Sequence, residues 1–61
     1  MMIATNSGIE ITAQDAINEF GFDAIVNFMD NGIREQVHAI GIEDEVEFLE
    51  EYSKRMDLIL G

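Results

Sequence analysis

No cysteine occurs anywhere in this chain of 61 residues, so no disulfide can hold its fold together. That is the tightest constraint on what it can become. Below about 70–80 residues a single core rarely supplies more than about 3–5 kcal/mol, and such domains lean on disulfides, a metal, self-association or unusually good helix packing. Thiolate metal sites are excluded, and with one histidine a nitrogen-based metal cage would need two chains. What remains is close packing of amphipathic elements, or pairing with a second copy. The length allows one domain, residues 1–61, burying about 60% of the surface its unfolded form exposes.

Glycines mark the joints, and no proline intervenes. In residues 2–12, MIATNSGIEIT, Ile9 and Ile11 alternate with Glu10, and Asn6-Ser7-Gly8 has turn chemistry. The segment reads as a short hairpin or an irregular arm, since an isolated hairpin is marginal in water. Residues 13–60 read as a helical bundle. Thr12 predicts an N-cap, with Asp15 in the place of a capping-box acid. A first helix follows over Ala13–Phe20, burying Ala16, Ile17 and Phe20, with Gly21 as a left-handed stop. Asp23 is expected to cap a second helix from Ala24 to Asp30, with Ile25, Phe28 and Met29 inward and Asn31-Gly32 ending it. Ile33, Val37 and Ile40 then share one face of a short third helix that Gly41 stops.

The fourth helix is predicted from Asp44 to Leu60. At about 100° per residue, Val46, Phe48, Leu49, Tyr52, Met56, Ile59 and Leu60 fall within roughly 160° of arc. Asp44, Glu47, Glu50, Glu51, Lys54 and Asp57 fill the opposite side, where Leu58 also falls without a reason. The fold class is thus mainly α: a small bundle of three short helices on one longer C-terminal helix, with or without the hairpin.

Charge is the second constraint. Thirteen acidic residues stand against three basic ones, for a net charge of −10, and no Lys or Arg precedes Arg34. Such a chain repels nucleic acid and anionic lipid and is drawn to basic surfaces. Its 48% hydrophobic content separates it from disordered acidic tails. The densest stretch, Glu43 to Glu51, holds six carboxylates in nine positions. The helix macrodipole favours those in the first turn by about 0.3–1 kcal/mol each. Glu50 to Lys54 and Glu51 to Arg55 are i,i+4 spacings suited to ion pairs. Glu10 and Glu19 have neither a capping role nor a basic neighbour, and Asp30 has only Arg34 within reach. Folding does not need this surplus. Solubility or a basic partner would explain it.

Other chemistries fail on inspection. Glu35-Gln36-Val37-His38 matches the E-x-x-H spacing of di-iron bundles, which need two such motifs and two more glutamates. Asp30-Asn31-Gly32 resembles part of a calcium loop, but that register puts Asn27, Met29 and His38 at ligand positions. Ser7 and Ser53 lack an evident base. No glycine-rich phosphate loop is present, and Arg34 alone cannot serve a DNA-recognition helix. Neither serine lies in the Asp-Ser-Leu motif of acyl carriers. No enzyme activity, cofactor, metal or direct nucleic-acid binding is expected. The opening residues lack a basic segment followed by an apolar one, and no apolar run approaches the roughly 20 residues of a membrane span, so a cytoplasmic protein is expected.

The acidic shell of Asp15, Glu19, Asp23, Asp44, Glu47, Glu50 and Glu51 on a helical core resembles the small acidic proteins that phages and other mobile elements make against host defence, especially anti-CRISPR proteins. The resemblance covers the whole chain through size, charge and helical content, without a shared motif. It implies an inhibitor, working in a bacterial host cell, that binds a basic DNA-accepting groove of a nuclease or surveillance complex and blocks DNA entry by charge mimicry. Those seven acids would be its contact residues. The alternative is a self-associating helical module whose acids serve solubility, a homodimer paired through Phe48, Tyr52, Met56 and Ile59, with Leu58 beside them. An antitoxin-like or peptide-binding regulator is the third reading.

Overall fold

The computed structural model describes residues 2–61. The chain runs β1 (Met2–Thr5), β2 (Glu10–Thr12), α1 (Ala13–Phe20), α2 (Phe22–Val26), α3 (Asn31–Ile40), α4 (Glu45–Arg55) and β3 (Ile59–Leu60). It is mainly helical, with a small sheet in the order β2-β1-β3.

The N-terminal segment is a hairpin. β1 and β2 pair antiparallel, with Ile3 opposite Ile11 and Ala4 opposite Glu10. The turn closes through Thr5, whose amide donates to the Ile9 carbonyl at 2.8 Å and whose carbonyl accepts from Gly8 at 2.9 Å. Gly8 takes φ 85°, where a β-carbon would be strained. A lone hairpin would be marginal, and the opposite terminus supplies its support. β3 lies parallel to β1, Ala4 beside Ile59 and Thr5 beside Leu60.

Parallel pairing of the two chain ends overturns the predicted length of α4. The helix stops at Arg55, Met56 turns extended at φ −153° and ψ 137°, and residues 59–60 form a strand. Burial past the helix follows a two-residue period: Leu58 and Leu60 are buried while Ile59 is 60% exposed. Leu58, anomalous on a helical wheel, is a core residue of an extended segment. At eleven residues α4 is only one longer than the ten-residue α3, so the bundle is not built on one dominant helix.

α1 matches its predicted bounds, with the Thr12 hydroxyl accepting from the Asp15 amide at 3.1 Å. The next joint does not. Gly21 has positive φ (85°), but its ψ of 142° is extended rather than left-handed helical, and it directly precedes α2. Asp23 lies inside the first turn of α2 instead of capping it. Asn31-Gly32 does not end a helix but opens α3: the Asp30 carboxylate caps it by accepting from the Ile33 amide at 3.0 Å. Asn and Gly are ambiguous in sequence, whereas the Asp three residues before an amide it can reach is a start signal. Gly41 ends α3 in the left-handed region, φ 86° and ψ 28°, as predicted.

The core joins sheet and helices: Ile3, Ala16, Ile25, Met29, Val37, Phe48, Leu49, Tyr52, Leu58 and Leu60 are all buried. Phe22 and Phe48 meet edge to face at 5.6 Å between centroids and 89° between planes, pinning α2 to α4. Tyr52 ties α4 to α3, its hydroxyl accepting from the Asp30 amide at 2.7 Å and facing the Met56 sulfur at 3.6 Å. Besides Met56 and Ile59 of the predicted apolar arc, Phe28 and Ile40 were expected to face inward and do not: they are 47% and 54% exposed. Ile40 is the last residue of α3, and Phe28 lies in the turn after α2.

Candidate partner-binding surface

The acidic face of α4 begins at its cap. Asp44 accepts from the Glu47 amide at 2.9 Å, which consumes one carboxylate oxygen structurally. Glu45 and Glu47 occupy the first turn, where the exposed amides of the helix start favour negative charge. At the other end Glu51 takes both available cations: Lys54 Nζ donates to one carboxylate oxygen at 2.8 Å and Arg55 Nη1 to the other at 2.9 Å. Arg55 Nη1 also donates to the Glu51 carbonyl at 2.8 Å. The Lys54 hydrogen bond, then that of Arg55, holds the Glu51 carboxyl below its ordinary value, and Glu51 in turn raises the Lys54 ammonium.

This arrangement corrects one expected ion pair. Lys54 reaches back three residues to Glu51 rather than four to Glu50, so Glu50 makes no ion pair among the described residues. Arg34 likewise makes no ion pair with Asp30, whose carboxylate is engaged with the α3 cap.

Glu47, Glu50 and Glu51 line one groove of about 670 Å³ with Ile40, Ile42 and Lys54. One wall is the α4 acid row, and the other is the apolar end of α3 and the loop after Gly41. Ile40, expected to face inward, is instead exposed at this groove, because helical spacing gives the direction of a side chain but not how far its covering element extends; Ile42 beside it is half-buried. Asp15, Glu19 and Asp23 are exposed on α1 and α2, outside this groove.

Of the residues considered for self-pairing, Phe48, Tyr52 and Leu58 are buried within the chain's own core, and Met56 and Ile59 are exposed. His38 is exposed on α3. No group of three or more His, Cys, Asp or Glu side chains among the described residues is placed to hold a metal. No helix among the described residues is long and apolar enough to cross a membrane.

The fold and its surface define a class: a small, strongly acidic, mainly helical protein whose exposed charge exceeds what its own caps and ion pairs use. Residues 17–55 match the family of the anti-CRISPR protein AcrIC5. The match spans most of the chain, from α1 to the end of α4, and the protein belongs to that family. It is therefore an anti-CRISPR inhibitor, and its partner is a CRISPR–Cas protein. No curated protein and no solved structure matches the chain.

Proposed function

We propose that the protein inhibits its CRISPR–Cas partner by laying the acid face of α4 on a basic surface built to receive DNA, so that the nucleic acid is kept out. The observation that carries this reading is the uneven use of charge on α4. Glu51 binds both nearby cations, while Glu47 and Glu50 make no ion pair among the described residues and border an open groove. From the helical rise, Asp44, Glu47 and Glu51 follow one another at about 4.5–6 Å along the axis. A DNA strand presents a phosphate about every 3.4 Å, so the row is a sparser version of that track. Asp15, Glu19 and Asp23 extend the negative field onto α1 and α2 and steer the encounter. The mechanism involves no chemistry, only occupation.

The test is binding of the purified CRISPR–Cas effector complex at rising salt, with DNA as competitor. Raising salt from about 50 to about 500 mM shortens the screening length severalfold, and the association rate is expected to fall by at least about tenfold. Glu47→Lys with Glu50→Lys should abolish inhibition at a cost in stability of no more than about 2 kcal/mol, since neither side chain makes an ion pair and only Glu47, in the first turn of α4, is favoured by the helix dipole. Binding indifferent to salt, or inhibitor and DNA bound to the complex together, would refute the mechanism.

A further inference from the structure

We propose that the α3–α4 groove seats an apolar side chain of the CRISPR–Cas partner, one flanked by lysine or arginine, with Ile40 and Ile42 as its seat. This names what the partner carries opposite α4, and it rests on the acid-face reading above.

Ile40 is the observation that points there. It is the last residue of α3, and Gly41 then turns the chain in the left-handed region, its amide donating to the His38 carbonyl at 3.0 Å. That cap fixes the Ile40 backbone, yet the side chain stays outside the core and exposed. Ile42, just past the turn, is half-buried and packs against the core. The pair forms an apolar wall, anchored at Ile42 and free at Ile40. The helix gains little from isoleucine at that position, since a β-branched residue is a poorer helix former than alanine.

A lone exposed apolar residue is ordinary on any surface. Ile40 differs in its setting. With Ile42 it borders a groove of about 670 Å³ whose opposite wall carries Glu47, Glu50 and Glu51. A side chain seated there loses water on its apolar side and meets carboxylates on the other.

Charge decides the occupant. Glu47 and Glu50 make no ion pair among the described residues, and Lys54, at the same groove, is committed to Glu51 at 2.8 Å. A segment that fills the groove therefore needs cations beside an apolar side chain. Nucleic acid is repelled by the acid wall, and a second copy, at net charge −10, brings the wrong sign. Protein surfaces that accept nucleic acid have the required mixture: cations track the phosphates, while apolar or aromatic side chains stack on bases or wedge between them. On such a surface Glu47 and Glu50 stand where phosphates would, and Ile40 with Ile42 stands where a base would. The groove is within the roughly 300–1,000 Å³ of sites that take small ligands, room for one such side chain and the stems of its flanking cations.

The experiment measures association and dissociation rates of the full chain on the purified CRISPR–Cas effector complex at low and high salt. Ile40→Ala should raise the dissociation rate about 5- to 30-fold, by a similar factor at both salt levels, because apolar contact is not screened. Its association rate should stay within about twofold, since steering is electrostatic. Its melting temperature should stay within about 4 °C, the side chain being exposed. Ile40→Leu should restore most of the residence time, and Ile9→Ala, at an exposed isoleucine of the β1–β2 hairpin, should leave both rates unchanged. Ile40→Ala combined with Glu50→Gln should cost less than the product of the separate effects, because one seated segment touches both. If Ile40→Ala leaves dissociation unchanged while reversal of Glu47 and Glu50 abolishes inhibition, this inference fails and the acid-face reading stands. If binding ignores both salt and those reversals, the reading fails and this inference with it. The inference is also overturned if Ile9→Ala weakens binding as much as Ile40→Ala, or if light scattering shows a dimer that Ile40→Ala dissolves, which would make a second copy the occupant.

Discussion

Leu58 and Ile59 are adjacent and both apolar, and the structure gives them opposite fates. Leu58 is 5% exposed and packs among the core residues, and Ile59 is 60% exposed on the outer face of the sheet. A helix continued to Leu60 would reverse the assignment, setting Ile59 in the apolar arc and Leu58 in water. Truncating each to alanine therefore measures which geometry the chain adopts. Leu58→Ala removes a buried side chain and leaves a cavity, a cost of about 2–5 kcal/mol. Ile59→Ala gives up an exposed side chain at a strand position, a cost of about 0.5 kcal/mol. A domain of this length holds about 3–9 kcal/mol in all, so Leu58→Ala leaves it close to unfolding at room temperature. Urea denaturation followed by circular dichroism reads both as midpoint shifts with an unchanged slope. If Ile59→Ala proves the costlier of the two, the helix continues and the sheet's third strand is wrong.

Tyr52→Phe keeps the ring in the core but strands the Asp30 amide that donates to the hydroxyl at 2.7 Å. It should cost about 1–3 kcal/mol, or roughly 4–24 °C in melting temperature. Gly41→Ala meets no atom within 4 Å but forces a β-carbon onto φ 86°, and should cost about 1–2 kcal/mol in a thermal melt from backbone strain alone. For Glu51 the sign of the pH effect is fixed. Its carboxyl is held below the ordinary value in the fold, by Lys54 first and Arg55 second, so its contribution is present above the unfolded carboxylate range and lost as pH falls through the lowered value. The urea midpoint of Glu51→Gln should lie below that of the natural chain at neutral pH, and the two should converge in acid.

What could be read from the residues was local. Thr12 and Gly41 set helix ends because the groups they engage lie within a few residues, and the α1 bounds came out as expected. The hairpin turn at Asn6-Ser7-Gly8 was legible as an alternative for the same reason. What could not be read depended on a partner far along the chain. Nothing in Met56 to Leu60 announces a strand, because an apolar run this short fits a helix or a strand equally. β1, more than fifty residues away, decides it by pairing Ala4 and Thr5 with Ile59 and Leu60, and the Asn6 amide just past β1 adds a bond to the Leu60 carbonyl at 2.6 Å. Phe28 and Ile40 failed similarly: periodicity aimed them correctly, but coverage is a tertiary property. At the surface the acid row of α4 was visible in sequence. Its groove with Ile40 and Ile42 was not, nor was the choice of Glu51 over Glu50 by Lys54.

The acids can now be divided by what the fold asks of them. Asp30 and Asp44 cap helices, each contribution about 1 kcal/mol. Asp15, Asp23, Glu45 and Glu47 lie in first turns, where the dipole favours them by a few tenths to about 1 kcal/mol. Glu51 holds two cations at the end of α4. Glu10, Glu19, Glu35, Glu43, Glu50 and Asp57 have no such task in the described contacts. A domain with so small a margin does not gain stability from mutually repelling charges it does not use. For an inhibitor of a CRISPR–Cas protein, the unused set is where recognition should be sought. One member already stands at a concave place, Glu50 at the α4 groove. A carboxylate on a convex face raises the general field, whereas one at a groove can also be desolvated by a partner, and desolvation is what turns attraction into specificity.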